Sequence, residues 1–246
     1  VEYEEVVGGL RTAGRIYEWE RAQEMNSGKF TSVDYNFEKP TVSLLATTET
    51  KLGLSGSTAL EVYENPGSQQ VKSDGDKFVK TRVEEEEART QTVYGRSFNI
   101  GFCPGFKFTL KNHFADSGLF TITGVTHSAS QPLDTGSDAE GFVYENQFTC
   151  LTFDSQYRPP RVTPLPTTRG VQTAVVVGPG GEEIYTDQYG RVKVQFFWDR
   201  EGQKNESSSC WIRVATYWAG KAWGAIHIPR IGQEVVVDFV EGDVDR

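Results

Sequence analysis

Hydrophobic and polar residues alternate with a period of two along much of this 246-residue chain. Residues 106–111 read Phe-Lys-Phe-Thr-Leu-Lys, and residues 191–198 repeat the alternation. A strand with this pattern buries one face and leaves the other in water, as in antiparallel sheets. The same pattern predicts strands at 120–125, 143–153, 173–177, 210–215, 225–228 and 234–240. The chain is therefore predicted to be mainly β.

A single stretch departs from the alternation and predicts one amphipathic helix, over residues 76 to about 92. It contains no Gly or Pro, and Gly95 follows it as the expected stop. Val79 and Val83, four residues apart, form its apolar face. The acidic run 84–87 is predicted to be a solvated face and not a cation site, because four consecutive helix positions splay around the axis. The ion pairs expected along the helix are Lys80 with Glu84, Arg82 with Glu86 and Glu85 with Arg89.

Four prolines within residues 157–170 mark the clearest boundary in the chain. So many prolines impose a stiff, extended connection, which predicts a linker. Residues 1–156 before it are predicted to form a β-rich region with one helix. Residues 171–246 after it contain about five short strands, and that number suits a small closed barrel such as an OB-fold.

The balance of charges argues against a nucleic-acid partner. Lys and Arg total 25, and Asp and Glu total 34, so the net charge is −9. A phosphate-binding surface needs a local excess of basic residues, and neither side of the linker has one. Hydrophobic residues make up 37% of the chain, which is enough to build a core.

The cysteines and the first residues of the chain indicate the cellular compartment in which the protein is assembled. Cys103, Cys150 and Cys210 are too widely spaced to predict a disulfide framework or a zinc site. They are interpreted as small buried side chains in a protein assembled in a reducing compartment. Residues 1–5 have neither a basic region nor an apolar core, so no signal peptide is expected. Because there is no initiator methionine, the sequence is expected to begin inside a longer chain.

Motifs for catalysis and for cofactor binding are not found in the sequence. There is no complete nucleophile elbow, no phosphate-binding loop and no calcium-binding loop. His113, His127 and His227 are not spaced as metal ligands, and they are interpreted as buried or rim histidines. The 34 acidic residues offer many pairs for glycoside hydrolysis, but no feature selects one of them. The sequence therefore predicts no catalytic, cofactor-binding or metal-binding residue, no cofactor and no enzyme activity in this chain.

Four of the five tryptophans, at positions 198, 211, 218 and 223, fall in one stretch of 26 residues inside the predicted barrel. One interpretation is a stacking surface for bases or sugars. Another is packing in the core and against other subunits, where aromatic side chains supply much of the binding energy. The acidic net charge makes base stacking the weaker interpretation.

The later part of the chain resembles VgrG, the spike protein family of bacterial type VI secretion systems. The resemblance includes the runs Tyr-Thr-Asp-Gln-Tyr-Gly-Arg-Val-Lys-Val and Ile-Pro-Arg-Ile-Gly-Gln-Glu-Val. The segments that support it most closely are 181–196, 198–200, 208–214, 218–221, 223–225, 228–239 and 241–243. A looser but collinear resemblance extends upstream over 34–40, 60–67, 82–86, 104–108, 126–127 and 157–160.

This resemblance implies a non-enzymatic homotrimer similar to the hub and needle of contractile phage tails. It implies a hub-like β-barrel region over residues 1–156 and an OB-fold over residues 171–246. The implied partners are a hexameric tube protein, baseplate proteins, a tip-sharpening protein and effectors. The implied localisation is assembly in the bacterial cytoplasm, then secretion into the medium or a target cell. The alternative is an OB-type module that binds oligosaccharides or single strands of nucleic acid.

The end of the chain departs from the family pattern. Val244 stands where the family has a proline, and the sequence stops at Arg246. The closing strand of the barrel, the needle and any enzymatic extension are therefore expected to lie outside this sequence. The predicted strand 234–240 has apolar residues on both faces, so we expect both faces to be covered in the intact assembly.

Overall fold

The computed structural model describes residues 1–5, 12–52, 54–131 and 142–246. The chain divides into two compact units, Val1–Pro160 (the N-terminal unit) and Arg161–Arg246 (the C-terminal unit). The division falls within the segment 157–170, where the linker is predicted. Strands dominate the regular structure, which confirms the prediction of a mainly β protein.

The described residues contain thirteen strands and one α-helix. In chain order they are β1 (Ile16–Gln23), β2 (Lys29–Ser32), β3 (Ala46–Glu49), β4 (Glu61–Glu64), α1 (Lys72–Thr90), β5 (Gln91–Ser97), β6 (Lys107–Leu110), β7 (Gly118–Ser130), β8 (Val143–Thr152), β9 (Gln172–Val177), β10 (Lys193–Phe196), β11 (Ala219–Gly220), β12 (Trp223–Gly224) and β13 (Glu234–Val237). Two 3-10 turns lie at Ser57–Ala59 and Val240–Gly242. Within the described residues, no helix has the length and apolar character needed to cross a membrane.

The N-terminal unit contains a curled five-stranded antiparallel sheet in the order β1-β5-β8-β7-β6. Residues 1–4 contact both outer strands. The amide of Tyr3 donates to the carbonyl of Lys111 at 2.8 Å, and the amide of Glu4 donates to the carbonyl of Ile16 at 2.9 Å. This segment therefore links the two edges of the sheet at one end.

Aromatic rings fill the core of this sheet. The ring of Phe148 lies 4.9 Å from that of Phe102 and 5.9 Å from that of Phe108, edge to face in both cases. Trp19 meets Phe120 in the same way at 4.8 Å. Edge-to-face pairs add to the stabilisation that burial alone provides. The buried members of this core are Ile16, Val93, Phe102, Phe108, Leu110, Phe120, Ile122, Phe148 and Cys150.

Gly95 provides the space for Phe148, which lies directly opposite it on β8. A Cβ atom at position 95 would overlap the Phe148 ring. The prediction that Gly95 stops the helix is therefore wrong. The helix ends at Thr90 and β5 follows at once, so this glycine marks a close approach inside a strand.

The helix α1 packs on a three-stranded sheet in the order β3-β2-β4, in which β2 and β4 are parallel. Val79 and Val83 are buried against Phe30 and Ala46, which confirms the predicted apolar face. The helix begins at Lys72, earlier than predicted, because it tolerates a glycine in its first turns.

The acidic run of α1 is not a solvated face, contrary to the prediction. Glu85 is only 7% exposed and pairs with Arg82. Glu84 accepts hydrogen bonds from Arg158, with N–O distances of 2.7 and 2.8 Å. The Lys80–Glu84 pair is present at 3.8 Å. The sequence pattern could not show that other segments of the chain lie against this side of the helix and supply partners for its carboxylates.

The C-terminal unit is built on a three-stranded sheet in the order β10-β9-β13. Two predicted strands of this unit, 210–215 and 225–228, do not form ladders. In the first, Ile212 makes an isolated bridge to Val192, and the second makes no strand pairing within the described unit. Ile212 and Ile228 nevertheless pack against the core. Alternation thus predicted which side chains turn inward, whereas a ladder also requires a neighbouring strand in register.

Candidate assembly surfaces

Three exposed aromatic side chains of the C-terminal unit surround the β11–β12 hairpin. Tyr217 is 86% exposed, Trp218 62% and Trp223 58%. The two indoles meet edge to face, with ring centroids 5.6 Å apart. At Gly224 φ is +139°, and a Cβ there would lie 2.6 Å from the carbonyl oxygen of Trp218. The glycine therefore lets the hairpin close tightly and present both indoles to solvent.

A second exposed aromatic group follows β10. Trp198 stacks on Phe196 with centroids 5.3 Å apart, and Phe196 in turn stacks on Phe239 at 6.2 Å. The indole N–H of Trp198 donates to Oε1 of Gln172 at 2.8 Å. Since its polar atom is satisfied within the unit, the exposed remainder of Trp198 is an apolar surface. Phe197, beside it, is also exposed.

Trp211 differs from the other tryptophans of this unit. It is partly buried, lies 5.0 Å from the ring of Tyr185, and has the ammonium of Lys193 5.1 Å from its ring. The four tryptophans thus belong to three separate ring contacts and do not form one continuous stacking surface. Two of the contacts leave indole surface exposed, and the third is internal packing.

The edge strand β13 exposes apolar residues on its outer face. Val237 is buried in the core, whereas Val236 is 66% exposed and Val240, just beyond the strand, is also exposed. Within the described residues β9 is the strand paired with β13, so the far edge of β13 lacks a ladder. An apolar strand with a free edge is a surface to which another chain or segment can add.

A concave region of about 980 Å³ lies against the five-stranded sheet of the N-terminal unit. Its lining includes Trp19, Tyr94, Arg96, Gln147 and Phe148. Arg96 is held by carboxylates, at 3.1 Å from Glu145 and 3.4 Å from Glu18. The positive charge on this surface is therefore already neutralised.

Tyr17 belongs to the same network of charges. Its hydroxyl donates to Oε2 of Glu145 at 3.1 Å, and its ring stacks on Phe98 at 4.4 Å. Burial raises the pKa of Tyr17 to about 12, and the carboxylate of Glu145 contributes to that rise. Tyr17 is thus held as a neutral hydrogen-bond donor.

Three apolar residues on loops of the N-terminal unit are exposed, which sequence patterns did not reveal. Ile100, Phe106 and Phe114 are all exposed and lie between β5 and β7. Ile100 and Phe114 lie outside any alternating run, and Phe106 begins the alternation at 106–111 that predicts a buried face. Isolated exposed apolar residues are common, so these three are candidate contact points only in combination with a partner surface.

The three histidines lie apart and serve different local contacts. Nδ1 of His113 accepts the amides of Ala115 and Asp116 at 3.3 and 3.0 Å. Nδ1 of His127 lies 2.6 Å from the hydroxyl of Tyr144. His227 is exposed and, contrary to its placement on a predicted strand, lies in a segment without strand pairing.

The cysteines are free, and only Cys150 is buried. Burial raises the pKa of the Cys150 thiol to about 12. Cys103 and Cys210 are exposed, so their interpretation as buried side chains is wrong. Cys103 begins a turn, and Cys210 is the first residue of the predicted strand 210–215, which forms no ladder. Among the described residues, no three His, Cys, Asp or Glu side chains converge in a way that would hold a metal ion.

Two protein families match this chain in order. Residues 1–133 match the phage tail baseplate hub family, and residues 173–246 match the type VI secretion system/phage-baseplate injector OB domain. The OB-fold predicted for the C-terminal part of the chain is thereby confirmed.

Curated relatives cover nearly the whole chain. The type VI secretion system spike protein VgrG1b of Pseudomonas aeruginosa is 43% identical over 242 residues, which are 96% of this chain and 32% of that protein. VgrG1a of the same organism is 41% identical, over 97% of this chain and 37% of that protein. The actin cross-linking toxin VgrG1 of Vibrio cholerae is 35% identical over 100% of this chain and 23% of its own length. This chain therefore spans about a third of the length of the Pseudomonas relatives.

A solved structure shares the fold. It is the c3393 protein of E. coli, described as a component of the type VI secretion system with structural similarity to the T4 bacteriophage tail proteins gp27 and gp5. The TM-score is 0.50 at 20% sequence identity, and the match covers 88% of this chain and 54% of that one.

Proposed function

The chain belongs to the phage tail baseplate hub family and, within it, to the VgrG spike proteins of type VI secretion systems, and from this we propose that it forms the hub and collar of a secreted spike. The main support is the collinear match: a baseplate hub segment is followed by an injector OB segment, and relatives align across both. In this proposal the work of the chain is mechanical, and the energy is supplied by other parts of the machine.

The two parts of the hub and collar are residues 1–156 and residues 171–246, joined by the linker 157–170. The division of the chain after Pro160 and the family matches on either side support this assignment. Arg158, near the start of the linker, binds Glu84 of α1 and so fixes the point where the chain leaves the N-terminal unit.

The spike is proposed to be a homotrimer. The exposed indoles of Trp218 and Trp223, the outer face of β13 and the exposed loop residue Phe114 support this proposal. Permanent assemblies commonly bury upwards of ~2,000 Å² of surface, with an apolar and aromatic centre. We therefore expect these side chains to be covered in the assembled spike.

Light scattering of the full-length natural protein tests the trimer. We expect a molar mass three times that of one chain, unchanged by dilution across micromolar concentrations. A monomer or a dimer over that range would contradict the proposal.

The proposed partners follow from the same role. The trimer would sit on a hexameric tube protein among baseplate proteins, and segments beyond residue 246 would contact a tip-sharpening protein and effectors. Assembly would take place in the bacterial cytoplasm, followed by secretion into the medium or a target cell to help puncture membranes. Co-purification of the tube protein with the full-length protein, lost when residues 1–156 are deleted, tests the hub assignment.

No enzymatic activity is proposed for residues 1–246. One relative is named an actin cross-linking toxin, and the chain matches 23% of its length, so toxin activity of that kind is proposed to reside elsewhere in such proteins. Hydrolysis of peptidoglycan or nucleic acid by residues 1–246, abolished by one carboxylate substitution, would contradict this.

The alternative, an OB-type module for oligosaccharides or single strands, is not favoured. The net charge of −9 opposes phosphate binding, and the tryptophans form separate ring contacts. A monomer that retains a sugar or a single strand on a column would revive it.

A further inference from the structure

A small cavity in the N-terminal unit lies where four segments of the chain meet. They are the residues before β2, the residues after β3, the turn Ser57–Ala59 and the last turns of α1. The cavity has a volume of about 10 Å³, and its walls include Asn26, Thr50 and Glu87. A single water needs roughly 10–15 Å³ of such space, so the cavity has the size of one water molecule.

Two buried polar atoms in the cavity wall have no hydrogen-bond partner within the described chain. They are Nδ2 of Asn26 and Oγ of Ser57. Ser57 is only 5% exposed, so bulk water does not satisfy its hydroxyl. Buried polar side chains in folded proteins are almost always paired with protein or with ordered water. Two unpaired groups around one small cavity therefore indicate a shared ligand.

Glu87 supplies an acceptor to the same cavity. Its Oε1 accepts the hydroxyl of Thr50 at 2.6 Å and the amide of Lys51 at 2.8 Å. An ionised carboxylate has about four lone-pair sites, and these two bonds use only two of them. The wall thus offers donors from Asn26 and Ser57 and an acceptor from Glu87.

The backbone around the cavity is held tightly at Gly28. The amide of Gly28 donates to the carbonyl of Ser57 at 2.9 Å, and its own carbonyl accepts the amide of Thr50 at 2.7 Å. A Cβ at position 28 would lie 2.6 Å from the carbonyl carbon of Ser57. The backbone on the Gly28 side of the cavity is therefore fixed by its own hydrogen bonds and close contacts.

We propose that this cavity binds one ordered water molecule, which joins the turn at Ser57 to Asn26 and to the carboxylate of Glu87. The water accepts from the amide of Asn26 and donates to Glu87, while the Ser57 hydroxyl acts as donor or acceptor. It acts as a structural ligand that connects α1 to the loop between β3 and β4.

A water molecule fits this set of groups better than a cation. A cation needs oxygen ligands on all sides, and it would require the carbonyl of Asn26 to face the cavity in place of the amide nitrogen. Water both donates and accepts, so it can pair with all three side chains at once.

A crystal structure of the protein at a resolution that shows ordered water is the direct test. We expect one density peak within about 2.7–3.2 Å of Ser57, Asn26 and Glu87. An empty cavity, or side chains that pair with each other directly, would overturn the proposal. A peak with all contacts near 2.3–2.5 Å would identify a cation and would also overturn it.

A double-mutant cycle tests the same bridge in solution. Asn26→Ala and Ser57→Ala are made singly and together, and the hydrogen-exchange rate of the Gly28 amide is measured. If one water couples the two side chains, the double variant exchanges at least about twofold more slowly than the product of the single effects predicts. The matched control pairs Asn26→Ala with Ser55→Ala, which changes an exposed serine of the same loop and should show no coupling. Equal coupling in both cycles, or none in either, would count against a shared water.

Discussion

The N-terminal unit buries a cluster of phenylalanine rings around Phe148, whereas the C-terminal unit builds its innermost core from alanine and valine. In the C-terminal unit the indoles of Trp198, Trp218 and Trp223 remain largely exposed. Burying a large apolar side chain stabilises a fold by about 1.5–3 kcal/mol. In the first unit, large aromatic side chains are buried within one chain and stabilise its fold. In the second unit, large aromatic side chains remain exposed, so burying them in an interface would stabilise an assembly.

This difference indicates where each unit derives its stability. A core of large rings in edge-to-face contact is complete within the protomer. Exposed indoles beside a free strand edge gain stabilisation only when another surface covers them. We therefore expect substitutions in the core of the first unit to change folding, and substitutions at the exposed aromatic side chains of the second unit to change assembly.

The largest effect is expected for Phe148→Ala. This change should lower the free energy of unfolding by about 3–5 kcal/mol, because it opens a cavity among rings that cannot collapse to fill it. Urea unfolding followed by tryptophan fluorescence measures it. Tyr35→Ala is the matched control at an exposed ring of the same unit, and it should stay within about 0.5 kcal/mol of the unaltered protein. Equal losses for the two variants would remove the distinction between buried and exposed rings.

The next effect concerns assembly. Trp218→Ala combined with Trp223→Ala should weaken association of the full-length protein by about 2 kcal/mol or more, as expected for aromatic hot spots at an interface. Light scattering over a dilution series measures the change. Lys221→Ala, at the tip of the same hairpin, is the polar control and should assemble normally. If the double variant instead lost as much folding stability as Phe148→Ala, the indoles would belong to the core.

A smaller effect is expected at the ion pair between Glu84 and Arg158. The double-mutant cycle of Glu84→Gln and Arg158→Ala should give a coupling of about 0.5–1 kcal/mol in urea unfolding, because the carboxylate is largely sheltered and Arg158 is partly exposed. The pair of Lys80 with Glu84 is the control, since its lysine is exposed and the distance is 3.8 Å. A coupling no larger than in that control would show that Arg158 does not fix the start of the linker.

The smallest effect is a dependence on pH above neutrality. The pKa of Tyr17 is raised to about 12 in the folded state, above the unfolded value of about 10. The unfolded chain therefore releases this proton first, and stability should fall as the pH rises from about 10 toward 12. Urea unfolding at pH 9, below this window, and at pH 11, inside it, measures the fall. Tyr17→Phe should show a smaller fall, and an unchanged fall would exclude Tyr17 as its source.

Alternation predicted the later strands better than the earlier ones. The strands β8, β9, β10 and β13 formed within their predicted segments or within one residue of them. By contrast, β1 was missed, because charged residues stand at both alternating sets of positions and a register shift between Ile16 and Glu18 interrupts the strand. The strand β5 was missed because Gly95 was interpreted as a helix stop. Its role depends on Phe148, which lies far away in the sequence.

The sequence also indicated that the C-terminal unit carries the candidate aromatic surface, but it did not show which tryptophans are exposed. Clustering of four tryptophans pointed to the C-terminal unit, and the resemblance to spike proteins suggested contacts between subunits. In the structure, Trp218 and Trp223 are exposed, whereas Trp211 is partly buried because it packs against Tyr185. Spacing along the chain does not encode that contact. Spacing along the chain likewise does not encode the remote partners of the acidic run, which are Arg158 for Glu84 and Thr50 for Glu87.

The close contact between Gly95 and Phe148 restricts how these two positions can vary. Any side chain at position 95 would occupy the volume of the Phe148 ring, and overpacking of this kind costs about 1–3 kcal/mol. A smaller residue at position 148 alone would instead leave a cavity. Exchange at both positions together avoids both penalties, so in homologous chains a larger residue at the first position should accompany a smaller residue at the second.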